Sequence, residues 1–187
     1  MDVQQIAVLG LGIMGHGIAQ VGAQSGFKVS AFDISDAAIN KGMEGIRHSL
    51  SRMVKKEKLS DSEADEILSR ISKSTDLLST IKNADVVIEA IPEVLELKKE
   101  TFEQIASSLK SDTIIATNTS QFSITDLASA TERADRVIGM HWFNPPQIMR
   151  LVELVRGLET SDQTLKVIQN LCASFGKETI VCRKDVP

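Results

Sequence analysis

Short, wholly apolar runs alternate along the chain with segments whose apolar positions recur every three or four residues. Ile6-Ala7-Val8-Leu9 is the first such run and ends at Gly10. An unbroken apolar run of this length reads as a strand covered on both faces. Met14, Gly17, Ile18 and Val21 then fall at helical spacing, and Ser25-Gly26 closes that helix. Val29 to Phe32 is a second strand, closed by Asp33. From Asp36 a long helix carries Ile39, Met43, Ile46, Leu50 and Met53 on one stripe. Residues 57–84 are polar, with helical character around Ser62 to Leu68, and read as a surface excursion. Beyond them, Asp85 to Ala90 is a strand stopped by Pro92, and Glu93 to Leu109 is a helix with Leu97, Thr101, Ile105 and Leu109 on its core side. Thr113 to Thr117 and Arg136 to His141 are strands separated by a short helix from Ile124 to Ala130. Leu151 to Val155 alternates, Leu165 to Phe175 is helical, and Thr179 to Cys182 is a final strand. Strands joined by helices predict the α/β class: a doubly wound, Rossmann-type, mostly parallel sheet with helices on both faces and a helical excursion after the second strand.

Composition narrows the function. With 187 residues, 42% hydrophobic, the chain forms a core without disulfides or metal, as one domain over residues 1–187. A net charge of −4, no tyrosine and only 4% aromatic residues argue against nucleic-acid partners, which need a basic face or stacking platforms. Cys172 and Cys182 have no CxxC spacing and no neighbouring histidine, so they read as buried free thiols and no metal site is expected. The sequence contains no apolar run of about 18 residues that could span a membrane. Met1-Asp2-Val3-Gln4-Gln5 lacks the basic start of a signal peptide. The expected location is cytoplasmic.

Gly10-Leu11-Gly12-Ile13-Met14-Gly15 is a GxGxxG that follows an apolar strand and opens a helix. In that setting the first glycine permits a tight turn and the second lets the backbone approach a pyrophosphate. The third lets helix and strand pack closely, and the helix N-terminus presents its amides to the phosphates. Asp33, at the end of the next strand, is placed to bond both ribose hydroxyls, an arrangement that repels a 2′-phosphate and predicts NAD over NADP.

Of the three histidines, His16 and His48 lie on helices and read as locally bonded or solvated. His141 ends a strand at the edge where open α/β sheets bind ligands, and Asn144-Pro145-Pro146 makes a stiff turn after it. Glu153 sits within the apolar stretch Leu151 to Leu154, where a carboxylate is partly buried and needs a partner. A His–Glu pair there suits alcohol oxidation, the imidazole taking the hydroxyl proton and the carboxylate orienting it. A solvent-facing Glu153 on an edge strand is the plainer alternative.

Gly10 to Gly15, Asp33, Asn118-Thr119-Ser120 and His141-Trp142-Phe143-Asn144-Pro145 together resemble the L-3-hydroxyacyl-CoA dehydrogenases, including the bacterial 3-hydroxybutyryl-CoA dehydrogenases. The resemblance runs through the whole chain. It implies NAD-dependent oxidation of the 3-hydroxyl of an acyl-CoA, or the reverse, with His141 as general base and Glu153 as its partner. Ser120 is implied on the substrate oxygen beside the nicotinamide, and Glu93, Lys98 and Asn144 as cofactor contacts. Ser49 and Lys56 match coenzyme A contacts. Arg52 shares their helical face within the basic stretch Lys41, Arg47, Arg52, Lys55, Lys56 and Lys58, a pattern suited to phosphates. In the family a helical second domain follows, which closes the cleft and forms most of a homodimer. It is not in this sequence, so weak or absent turnover and an exposed apolar patch are expected.

A β-hydroxyacid dehydrogenase of the hydroxyisobutyrate or 6-phosphogluconate kind shares the Gly-Leu-Gly-x-Met-Gly turn. It would need a glycine-rich, lysine-bearing motif after Leu151, which is missing here. A non-catalytic NAD-binding module would have no use for an oriented proton acceptor.

Overall fold

The computed structural model describes residues 2–182 and Asp185. In chain order the elements are β1 (Gln5–Leu9), α1 (Gly15–Gln24), β2 (Lys28–Phe32), α2 (Asp36–Lys55), α3 (Asp61–Ser69), β3 (Ile71–Ser74), α4 (Leu77–Ile81), β4 (Val86–Glu89), α5 (Leu95–Ala106), β5 (Ile114–Thr117), α6 (Ile124–Ala128), β6 (Val137–Trp142), β7 (Leu151–Arg156), α7 (Asp162–Ser174) and β8 (Glu178–Cys182). The strands form one sheet in the order β3-β2-β1-β4-β5-β6-β7-β8. Every pairing is parallel except β6 with β7, which a link without a helix joins antiparallel. Strand order reverses direction between β1 and β4. There the helices leave to opposite faces and open a crevice at the carboxyl ends.

Alternate residues of the apolar strands face two separate cores. Ile6 and Val8 of β1 pack with α1, α2, α3 and α7 through Ile18, Ile39, Ile67 and Ile168. Ala7 and Leu9 pack with α4, α5 and α6 through Ile81, Phe102, Ile105 and Leu127. That is the period-2 logic of a strand covered on both sides. The helices on these faces begin at short polar caps. Ser35, Ser123 and Ser161 each accept a backbone N–H at the start of α2, α6 and α7, and Ser60 with Glu63 forms a reciprocal capping box on α3. None of the described helices is long and apolar enough to cross a membrane.

Two expectations need correction. Residues 57–84 are more than a surface excursion, because they supply the edge strand β3, paired in register with β2, and the helix α4. β3 buries only Ile71, so its sequence carries no alternating pattern to read. The inward face of α5 is Lys98, Phe102 and Ile105, whereas Leu97 is exposed and Thr101 half-buried. Ion pairing brings a lysine to the core, and hydrophobic spacing alone misses that face.

Candidate functional site

At the carboxyl ends of the central strands lies a cleft of about 950 Å³. Its walls include Gly10, Gly12, Ile13, Met14, Asp33, Glu93, Ser120, His141 and Asn144. The glycine turn forms one end. Gly10 takes φ +87°, and a Cβ there would come within 2.7 Å of the Ala90 carbonyl oxygen. A Cβ on Gly15 would sit 1.7 Å from the Gly10 oxygen, so only glycine lets α1 rest on the turn. A Cβ on Gly12 would meet nothing within 4 Å, since that face opens into the cleft. α1 starts at Met14 without a side-chain cap. A close-approach glycine over an uncapped helix start is the cradle a pyrophosphate needs. Asp33 is fixed beside it, since Oδ2 accepts from the Leu11 amide at 2.8 Å and Oδ1 from the Ile34 amide at 2.7 Å. Leu11 and Gly15 do not line the cleft. They act through the backbone, Leu11 by orienting Asp33 and Gly15 by seating α1.

A chain of charges stands behind the middle of the cleft. Glu93 Oε1 accepts from the Ser120 amide at 3.0 Å and from the Thr119 hydroxyl, while its Oε2 lies 3.1 Å from the Lys98 ammonium. Burial pushes the Glu93 carboxyl up, but Thr119 and Lys98 outweigh it and hold the group below the usual carboxylate range. Lys98 was expected to touch the cofactor; instead it is 1% exposed and donates to the buried Glu89 at 2.6 Å. Asn118, for which the sequence reading named no role, accepts from the Trp142 amide at 2.9 Å and ties the end of β5 to that of β6. The Asn-Thr-Ser sequence was visible, but its cross-strand partner depends on tertiary pairing.

His141 and Glu153 stand directly opposite each other on β6 and β7. In an antiparallel pair, opposed residues share a face and their side chains meet. The His141 Nδ1 lies 3.1 Å from Glu153 Oε2. The Cys182 thiol donates to the other oxygen, Oε1, at 3.1 Å. Bonds from Cys182 and then His141 hold the Glu153 carboxyl below its ordinary value. A carboxylate only accepts, so His141 carries its proton on Nδ1 and turns a basic Nε2 outward. Phe143 packs on the imidazole, with ring centroids 4.8 Å apart. Cys182 is therefore a half-buried thiol bonded to Glu153, which pushes it up, rather than the buried free thiol expected, whereas Cys172 is buried, with burial pushing its thiol up to about 12.

His16 Nδ1 bonds the Gly12 carbonyl at 2.6 Å, and His48 is exposed, as their sequence context suggested. Ser49, Arg52 and Lys56 lie along and just beyond α2 and form no part of the cleft wall. The structure unites the glycine turn, Asp33, Glu93, Ser120, Asn144 and His141 around one cleft, with Glu153 behind the histidine, and leaves the basic face of α2 outside it. No group of three metal-ligating side chains occurs among the described residues.

Residues 5–186 match the family model described as the 3-hydroxyacyl-CoA dehydrogenase, NAD binding domain. The mitochondrial hydroxyacyl-coenzyme A dehydrogenase of Rattus norvegicus is 40% identical over 99% of the chain, which covers 60% of that protein. A probable 3-hydroxybutyryl-CoA dehydrogenase of Bacillus subtilis is 40% identical over 96% of the chain and 62% of its own length. The crystal structure of (S)-3-hydroxybutyryl-CoA dehydrogenase from Ralstonia eutropha superposes with a TM-score of 0.94 at 46% identity, covering 96% of this chain and 63% of that one. The chain thus spans about three fifths of the length of these relatives. With a cleft shaped for a dinucleotide and a sequence match along nearly its whole length, the chain belongs to the NAD-binding domain family of the 3-hydroxyacyl-CoA dehydrogenases.

Proposed function

We propose that the chain is the cofactor-holding half of an enzyme that oxidises the 3-hydroxyl of a 3-hydroxyacyl-CoA to the 3-oxoacyl-CoA, or runs the reverse reduction. The observation that carries this reading is the His141–Glu153 pair, at 3.1 Å, on the wall of the cleft that the glycine turn opens. NAD, when bound, supplies the hydride acceptor. The chain's own residues do the rest. Gly10, Gly12 and the start of α1 receive the pyrophosphate, and the fixed Asp33 carboxylate accepts the ribose hydroxyls. His141 Nε2 takes the alcohol proton as the carbonyl forms, and Glu153 stabilises the resulting imidazolium. Ser120, exposed on the cleft wall with its backbone held by Glu93, donates to the substrate oxygen. Asn144 joins Glu93 on the cofactor, and Lys98 supports it from behind.

The relatives' names supply the substrate class, since they act on hydroxyacyl and hydroxybutyryl thioesters of coenzyme A. On this reading Ser49, Arg52 and Lys56 receive the phosphates of the CoA handle outside the cleft. The full-length enzyme pairs as a homodimer through a helical domain beyond this sequence, which also closes the cleft against water.

Purified chain mixed with NADH and acetoacetyl-CoA, then with NADH and free acetoacetate, separates this function from its rivals. The expected result is slow loss of nicotinamide absorbance with the thioester only. Equal rates with the free acid would overturn the CoA reading and favour a β-hydroxyacid dehydrogenase.

A further inference from the structure

Glu89, the last residue of β4, is fully buried and forms no part of the cleft wall. It nevertheless accepts three hydrogen bonds, from the Lys98 ammonium at 2.6 Å, the Ile91 amide at 2.8 Å and the Thr117 hydroxyl at 2.6 Å. The same ammonium lies 3.1 Å from Glu93 Oε2. One cation thus stands between two carboxylates, and the group as a whole carries a net negative charge. Glu93 presents that charge to the cleft, because it lines the wall, where its other oxygen accepts from the Ser120 amide. Burial of the Glu89–Lys98 half keeps water from screening it.

We propose that Glu89 is a positioning residue that biases the cleft toward the oxidised cofactor. By claiming Lys98 it prevents the ammonium from fully neutralising Glu93, so this group adds one uncompensated negative charge to the cleft. An oxidised nicotinamide ring is positively charged and the reduced ring is neutral, so the charge favours the first, and Glu89 exerts this without lining the cleft. The inference rests on the NAD reading of the cleft.

A unit charge acting across the cleft at an effective dielectric near 20 changes binding by roughly fifteen-fold at about 10 Å and about five-fold at about 17 Å, and the openness of the cleft to water favours the lower figure. Isothermal titration of the 187-residue chain with NAD+ and, separately, with NADH reads this directly. Glu89→Gln keeps the shape of the side chain and makes the group neutral. The expected result is a rise of about five-fold in the ratio of the NAD+ to the NADH dissociation constant, mostly from weaker NAD+ binding. A merely structural role would weaken both forms alike, and an unmoved ratio overturns the proposal. Should Glu89→Gln fail to fold, Glu93→Gln removes the same charge from the partly exposed end of the group. Glu93 itself faces the cofactor, so a rise supports the net charge of the group as the cause of the bias, and no change overturns the proposal. An unsubstituted chain that binds neither form overturns the NAD reading and this inference with it. Binding of both with an unmoved ratio removes only the role of Glu89.

Discussion

His141 and Cys182 bond opposite oxygens of Glu153, which leaves that carboxylate one orientation and gives the imidazole one tautomer. The Glu153 carboxyl is held below its ordinary value chiefly by the Cys182 thiol and then by His141. A depressed carboxylate stabilises the fold above its unfolded value, and that contribution is lost as pH falls through the folded value. Glu153→Gln should therefore cost stability at neutral pH, and the difference from the unsubstituted chain should shrink in acid. Denaturation curves at both pH values check this, and a pH-independent difference would contradict it. Lys98 is a sharper case, because its ammonium is buried against Glu89. Lys98→Met should cost about 3–5 kcal/mol by leaving buried carboxylate charge unpaired, whereas pairing it with Glu89→Gln should recover part of the loss. Urea midpoints of the single and double variants decide the point.

The turn between β1 and α1 was fully legible in the sequence, since an apolar strand, spaced glycines and a helical period are local signals. Its three glycines nevertheless do different work, and substitution separates them. Gly15→Ala puts a methyl against the Gly10 carbonyl and should destabilise the fold by about 2–3 kcal/mol or more, as overpacking against rigid backbone does. Gly12→Ala meets no protein atom and should fold with a stability change below about 1 kcal/mol. Its methyl occupies the space of the pyrophosphate, so NADH binding should nevertheless be lost. Thermal melts with NADH fluorescence on each variant test the split, and a Gly12→Ala chain that binds normally would refute the cradle. Other elements were hidden for physical reasons. β3 buries one side chain, and the inward face of α5 centres on a lysine. The opposition of His141 and Glu153 is a register between strands, which spacing along one chain leaves open. A carboxylate inside an apolar stretch raised their pairing beside the alternative of a solvent-facing glutamate, and the resemblance favoured the pair.

Over the whole molecule, a doubly wound sheet gathers residues from β1, β2, β4, β5 and β6 at one edge, with Glu153 on β7 behind them. Ile148, Met149, Leu158 and Ile180 remain exposed on or near β7 and β8, as Ile13 and Ile34 do at the glycine turn. The chain spans about three fifths of the length of its relatives, and on the proposed reading the part beyond this sequence covers the catalytic side of the cleft. Binding and proton transfer should therefore separate, with NADH held firmly and turnover slow. The decisive measurement is NADH-dependent reduction of acetoacetyl-CoA by the chain at high concentration, compared with its His141→Gln variant, alongside NADH fluorescence for both. The account predicts equal NADH binding, slow turnover in the unsubstituted chain, and a loss of at least about a hundred-fold in the variant, the scale of general acid–base catalysis. Turnover that survives the loss of the imidazole, or a chain that binds no NADH, would contradict it.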